Sequence, residues 1–219
     1  MYYGKGQQLY CETCEAKMEI KSDFSALKVC VNCGQIKYKY SLASPRKVLP
    51  IAESMNVLCI GVIGFIELKK FEIIGRYQIQ SSWGCYNLWC IHFADGDILE
   101  WLVESAGEYY YCQQNRDKNL AFNNKLWDFP VNTIVNIEGM EAATMILRTM
   151  IKDQDIEGEL PEMPDSFEYG LLFIFEDNNK NASVLLKTPK KKVVYLLGRK
   201  LSWDYFKFEK YRKLQPFVG

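Results

Sequence analysis

The chain holds a single histidine, His92, and that scarcity narrows the chemistry before anything else does. A nucleophilic site built on imidazole would have to recruit it from inside the apolar run Leu88–Phe93. Alternation there puts His92 on the face of Leu88 and Cys90, opposite Trp89, Ile91 and Phe93, which is a structural position. A phosphate-cradling glycine loop is also missing, because Gly61-Val-Ile-Gly64 lacks the Lys-Ser/Thr ending and no helix follows it. No stretch approaches the ~18 uncharged apolar residues of a membrane span; the longest is Val57–Ile66. The N-terminal Met-Tyr-Tyr-Gly-Lys-Gly-Gln-Gln has no apolar core of a secretion signal, so a cytoplasmic protein is expected. The acidic pairs Asp95/Asp97 and Glu157/Glu159 fall in predicted turns and read as solvated faces. This inventory predicts no catalytic residue, no organic cofactor and no enzyme.

What is present is material for a core. Of 219 residues 48% are hydrophobic and 14% aromatic, which excludes disorder by composition. The net charge of zero hides an uneven distribution: residues 1–47 carry a net +4, residues 48–186 a net −12 and residues 187–219 a net +8. The ends either fold back to neutralise the middle or meet an anionic partner.

The eight cysteines fall into two kinds. Cys11-Glu-Thr-Cys14 and Cys30-Val-Asn-Cys33 are two C-x-x-C units separated by fifteen residues, the spacing of a four-thiolate zinc site. Two residues between thiolates let one tight turn aim both sulfurs at one ion, and the intervening segment suffices for a hairpin that brings the second turn opposite the first. Gly34 follows the second pair, where such a turn needs a positive φ. A segment this short cannot bury enough surface to fold alone, so one structural Zn²⁺ held by Cys11, Cys14, Cys30 and Cys33 is expected to supply the folding energy. Iron fits the same cage, whereas disulfides would need an oxidising compartment. Cys59, Cys85, Cys90 and Cys112 lack partners at ligand spacing and are expected to fill the core.

The organisation that follows is mostly β. A zinc ribbon is expected over residues 1–40, a linker over 41–55 and a β-rich antiparallel barrel or sandwich-like domain over 56–219, with at most one or two short helices. Phe71, Ile73, Gly75 and Tyr77 alternate with Glu72, Ile74, Arg76 and Gln78. Leu88–Phe93 and Ile98–Val103 are strands about the Asp95-Gly96 turn, and Tyr109–Cys112 is a fourth. Gly170–Phe175, Ala182–Lys187 and Val193–Leu197 continue the pattern. Aligning "NLWCIHFADGDILEWLVE" with "GLLFIFEDNNKNASVLLKT" predicts two similar halves, 56–115 and 131–200. Glu141–Ile151 has mixed composition and is read as strand; Ser202–Leu214 opens on an N-cap serine and is read as helix.

The runs "IGVIGFIELKKFEIIGRYQI", "WCIHFADGDILEWLVESAGEYYY", Glu157–Pro161 ("EGELP") and "VVYLLGRKL" resemble the bacterial family termed domain of unknown function 4178. Asp95, Gly96, Trp101 and Leu102 match that family's D-G-x-x-x-W-L hairpin, with one extra residue between Gly96 and Trp101. A zinc ribbon in front of the domain is similar to family members. The resemblance covers about two thirds of the chain and leaves out Leu120–Pro130 and the tail after Trp203. It implies a two-part β-rich fold and a membrane-stress setting, and no particular activity.

The functional expectation is a non-enzymatic binding or scaffolding protein that meets a protein partner through an exposed strand edge or an aromatic patch. Trp83, Tyr86, Trp89, Trp101 and Tyr109–Tyr111 are more aromatics than one modest core needs, and Trp83 is the best candidate for display. The alternative is nucleic acid or an anionic membrane. It rests on Lys190-Lys191-Lys192 and on the tail, where Lys207, Lys210, Arg212 and Lys213 interleave with Phe206, Phe208 and Tyr211.

Overall fold

Twenty-one residues of β-branched, small and charged side chains, Met140–Leu160, form one strand that joins every part of the molecule. The computed structural model describes residues 3–39, 48, 57–114, 129–137, 140–162, 170–188 and 193–209. The ribbon contributes β1 (Gln8–Tyr10), β2 (Lys17–Glu19), β3 (Leu27–Val29) and β4 (Ile36–Tyr38). The first half of the β domain contributes β5 (Ile63–Ile66), β6 (Lys69–Ser81), β7 (Gly84–Phe93), β8 (Ile98–Ser105) and β9 (Glu108–Gln114). The second contributes β10 (Ile134–Ile137), β11 (Met140–Leu160), β12 (Leu171–Glu176), β13 (Asn181–Lys187) and β14 (Val193–Leu201).

Two antiparallel meanders, β6-β7-β8-β9 and β11-β12-β13-β14, are joined at both edges. β9 pairs with β14 and β6 pairs with β11, so the eight strands close into a barrel. The halves repeat one topology, first strand against first strand and last against last. In each, a short leading strand (β5 or β10) pairs with the start of the long one. The two segments aligned in the sequence are the hairpins β7–β8 and β12–β13, the middle pair of each meander.

Both faces of the barrel wall are buried, each for its own reason. Inward positions, including Leu88, Cys90, Trp101, Cys112, Leu172, Ile174, Val184 and Leu196, fill the interior, as side chains do in an eight-stranded barrel. Outside the first half, Trp89, Ile91, Phe93 and Leu102 are covered by Leu58, Val62, Ile66 and Phe206. Outside the second, Phe173, Phe175, Leu185 and Tyr195 are covered by Val135 and Ile137 of β10 and by Met140.

Several expectations are corrected here. Simple alternation puts Phe71, Ile73, Gly75 and Tyr77 on one face, but a bulge at Ile74 intervenes, between the pairs Ile73↔Ile91 and Gly75↔Cys90. Phe71 and Ile73 therefore face outward, and Tyr77 and Ile79 face the interior. Glu157–Leu160 is not a turn but the end of β11, with Glu159 wholly buried. Cys90 and Cys112 lie in the core as expected, whereas Cys59 is half-buried and Cys85 exposed. Glu141–Ile151 is strand. Of the helix expected over Ser202–Leu214, only a 3-10 turn at Trp203–Phe206 forms, and Lys210–Leu214 lie outside the described residues. Lys207 sits at its end with φ 36°, a left-handed conformation that stops the helix. The tail rings on which the nucleic-acid alternative rested are packed: Phe206 is buried, and Phe208 lies 4.5 Å from Trp203 between ring centroids. Lys190–Lys192, Tyr211 and all of the expected linker except Val48 are outside the described residues. Among the described residues no helix is long and apolar enough to cross a membrane.

Candidate metal centre

Each C-x-x-C unit folds as a tight turn closed by its own backbone. Glu15 N–H donates to the Cys11 carbonyl at 2.9 Å, and Gly34 N–H donates to the Cys30 carbonyl at 2.8 Å. The residue after each second cysteine is left-handed, Glu15 with φ 59° and Gly34 with φ 74°. Glycine at 34 meets a second demand as well. A Cβ there would lie 2.0 Å from the Val48 carbonyl oxygen, which no side chain tolerates. Glu15 occupies the matching position of the first turn without that freedom, at a conformational cost of about 1 kcal/mol.

The turns bring Cys11, Cys14, Cys30 and Cys33 together, with all four Sγ atoms within 4.8 Å of one another. Cys11 Sγ lies 3.5 Å from Cys33 Sγ, and Cys14 Sγ lies 3.7 Å from Cys30 Sγ. A tetrahedral ion with sulfurs about 2.3 Å away has edges of about 3.8 Å, so the donor set fits a metal ion, and a disulfide's ~2 Å is excluded. The electrostatics agree with that fit. The Asn32 side chain and the Ala16 backbone hydrogen-bond the Cys14 sulfur and hold its thiol down at about 6. At Cys33 the Gln35 backbone N–H favours the thiolate, but burial and the three neighbouring sulfurs outweigh it and push the thiol up to about 12. Four crowded sulfurs cannot all be thiolates without a cation among them. A metal ion held by all four sulfurs would have no open coordination site. Theirs is the one such grouping of three or more His, Cys, Asp or Glu ligands among the described residues.

The ribbon is tied to the barrel by hydrogen bonds and by packing. β3 pairs with the end of β11, Glu159 against Lys28 and Leu160 against Leu27, and Leu27, Val29 and Ile36 belong to the same core cluster as the barrel interior. Beside that pairing the Glu159 carboxylate accepts from Lys21 N–H (3.0 Å), Ser22 N–H (2.9 Å) and the Ser25 hydroxyl (2.6 Å), with the Lys28 ammonium at 3.4 Å. Gly75 and Gly158 make this approach possible. They pair directly where β6 meets β11, and a Cβ on Gly75 would lie 2.0 Å from the Glu159 carbonyl oxygen. A second tie runs through the β7–β8 turn. Asp97 accepts from Asp23 N–H at 2.8 Å and from His92 Nε2 at 2.8 Å, with Lys5 Nζ at 3.8 Å. Burial acts to raise the Asp97 carboxyl, but the Asp23 N–H, His92, Ser22 and Lys5 prevail and hold it below the usual carboxylate range. His92 is on the expected face, partnered by a carboxylate that also receives the ribbon.

Sequence reasoning placed the four cysteines and missed the junction. Glu159 stood in a motif read as turn grammar, and Asp97 was read as a solvated turn acid. No family model, curated protein or solved structure matches this chain.

Proposed function

We propose that the chain is a non-catalytic binding protein in which a zinc-stapled ribbon and a closed barrel form one rigid platform, and that it engages a protein partner through the tip of the β6–β7 hairpin. The observation that carries this reading is Trp83. It is 82% exposed at that tip, while Trp89 and Trp101, the other two tryptophans of the barrel wall, are buried. A ring able to bury 150–250 Å² is left in water at this hairpin turn, and tryptophan dominates the energetic centres of protein interfaces. The tip is held for that role: Trp83 N–H donates to Ser81 Oγ at 3.0 Å, and Ser81 Oγ donates to the Gly84 carbonyl at 3.2 Å. Met150, beside the Ser81↔Ile151 pair next to the hairpin turn, adds a second exposed apolar side chain.

Zinc is the ion we assign to the four thiolates, on the softness of the ligands and their closed tetrahedral arrangement. The resemblance to the domain of unknown function 4178 family supports a bacterial, cytoplasmic setting connected with membrane stress. Nucleic acid is the weaker reading, because the packing of Phe206 and Phe208 removes two of the rings on which bases would stack.

The test is a photo-crosslinking amino acid placed at position 83 in the native host, with position 10, where Tyr10 is also exposed, as control. One discrete protein adduct that forms at 83, not at 10, and resists nuclease is the expected result. Adducts that disappear with nuclease, or an identical pattern from both positions, would refute the reading.

A further inference from the structure

A cavity of about 640 Å³ opens on the first half of the barrel between the β5–β6 turn and the β7–β8 turn, on the side away from the Trp83 hairpin tip. That volume is the size of a small-molecule site. Its apolar lining comes from Phe71, Phe93, Ile98 and Leu68, and Tyr111 and Glu100 stand in its wall.

Two features of this cavity lack a reason in the fold. The first is Glu100, only 7% exposed. One oxygen accepts from the Tyr111 hydroxyl and the other from Gln113 Nε2 at 2.7 Å. Both donors are neutral, and no cationic side chain pairs with Glu100 among the described residues. Its neighbours differ: Glu72 is paired with Lys21, and Asp97 receives His92 and Lys5. A carboxylate held out of water without a counter-charge is costly, and a bound cation removes that cost. The second feature is Leu68, which is 89% exposed with φ 68°, next to Glu67 at φ 50°. Turns of this left-handed kind favour Asn-Gly, and a leucine there is sterically penalised while its side chain stands in water at the cavity mouth. Glu67 is anchored by Arg199 and Tyr205, whereas Leu68 has only the cavity beside it.

We infer that this cavity binds an alkylammonium cation, with the ammonium against Glu100 and the Tyr111 ring and the alkyl chain along Phe71, Phe93, Ile98 and Leu68. Aromatic rings in the lining favour a cation over an uncharged head, and the apolar lining favours a chain of several methylenes over a bare ion. Lys69 and Lys70 also line the cavity; Lys70 is paired with Glu209, and neither ammonium is paired with Glu100. A free amine and the side chain of a lysine in a partner share this chemistry.

Calorimetric titration of the full chain with hexylammonium, hexanol and hexanoate tests the inference. Hexylammonium is expected to saturate one site per chain, with hexanol and hexanoate weaker by about tenfold or more. In Glu100→Gln the preference for the cation over hexanol should vanish. Should that variant fail to fold, Leu68→Ser, at an exposed turn position, must still weaken hexylammonium by about threefold or more through lost chain burial. Equal binding of hexanol and hexylammonium by the native protein, or no binding of either at millimolar concentration, overturns the inference. A lysine-containing peptide that binds about tenfold tighter than hexylammonium assigns the site to a protein lysine, and the reverse order assigns it to a free amine. Either order is independent of the Trp83 crosslinking result.

Discussion

Replacing Glu159 by glutamine probes the joint between ribbon and barrel with the smallest possible change in shape. The side chain is 0% exposed, so no water can repair what is lost. One oxygen serves Lys21 N–H, Ser22 N–H and the Ser25 hydroxyl, and the other serves Lys21 N–H and the Lys28 ammonium. An amide turned either way points an NH₂ group at donors. The less harmful orientation surrenders the oxygen facing Lys28, whose own side chain is only 13% exposed and then lacks its counter-charge. A charge-assisted hydrogen bond contributes about 1.5–3 kcal/mol, and removing one partner of a buried pair costs about 3–5 kcal/mol. The expected loss is therefore about 3 kcal/mol, a fall in Tm of roughly 6–12 °C for a chain of this size. Urea unfolding is the assay, with Glu19→Gln on exposed β2 as control. Because Leu27, Val29 and Ile36 share the barrel's core, one cooperative transition should shift as a whole. A loss below about 1 kcal/mol, or a ribbon that melts separately while the barrel transition stays in place, would refute the reasoning.

Elemental analysis should find one zinc per chain and none in Cys11→Ser, and chelation should lower the melting temperature of the entire chain because the ribbon's strands are part of its core. Since the ligands bind as thiolates, zinc affinity should tighten as pH rises; an affinity independent of pH between 6 and 8 would contradict four-thiolate ligation. Asp97→Asn should destabilise the protein by about 1 kcal/mol at neutral pH. The native Asp97 carboxyl is held low, so its contribution is present above the ordinary value near 3.9 and is lost as pH falls through the folded-state value. The acid limb of the stability profile should therefore be shallower in the variant, and an unchanged limb argues against the role given to Asp97. Glu15→Gly should stabilise the ribbon by about 0.5–1 kcal/mol by relieving a left-handed non-glycine, whereas Gly34→Ala should weaken zinc retention under competition with a chromophoric chelator. Equal retention by native protein and Gly34→Ala would show that Val48 yields.

The local parts of this protein were legible because their causes are local. Two thiolates two residues apart make a turn that aims both sulfurs at one point, whatever the rest of the chain does. The expected hairpin between the two pairs does not form: each turn closes its own hairpin, β1–β2 or β3–β4, and β2 and β3 are not paired with each other. Strand alternation through Leu88–Phe93 likewise set the faces of Trp89 and His92 from covalent geometry alone. The hairpins β7–β8 and β12–β13 were visible for the same reason, since each carries apolar runs about a polar tip. Alternation failed where one residue was added, at Ile74, because a bulge is a property of the pairing between β6 and β7 and not of either strand's composition.

Long-range choices were decided only in three dimensions. Nothing in Glu157–Pro161 distinguishes an exposed turn from a strand end. Glu159 became a buried anchor because β11 runs past β6 into β3, and only the ribbon supplies the donors that make its burial tolerable. Closure of the barrel is equally non-local, for β6–β11 and β9–β14 join strands tens of residues apart. The pairing of cysteines within each turn and the strands follow from the sequence because each depends on neighbours a few residues away. The closed barrel, the docked ribbon and the unpaired charge of Glu100 follow only from the fold, because burial and charge pairing depend on which distant segments arrive at the same place.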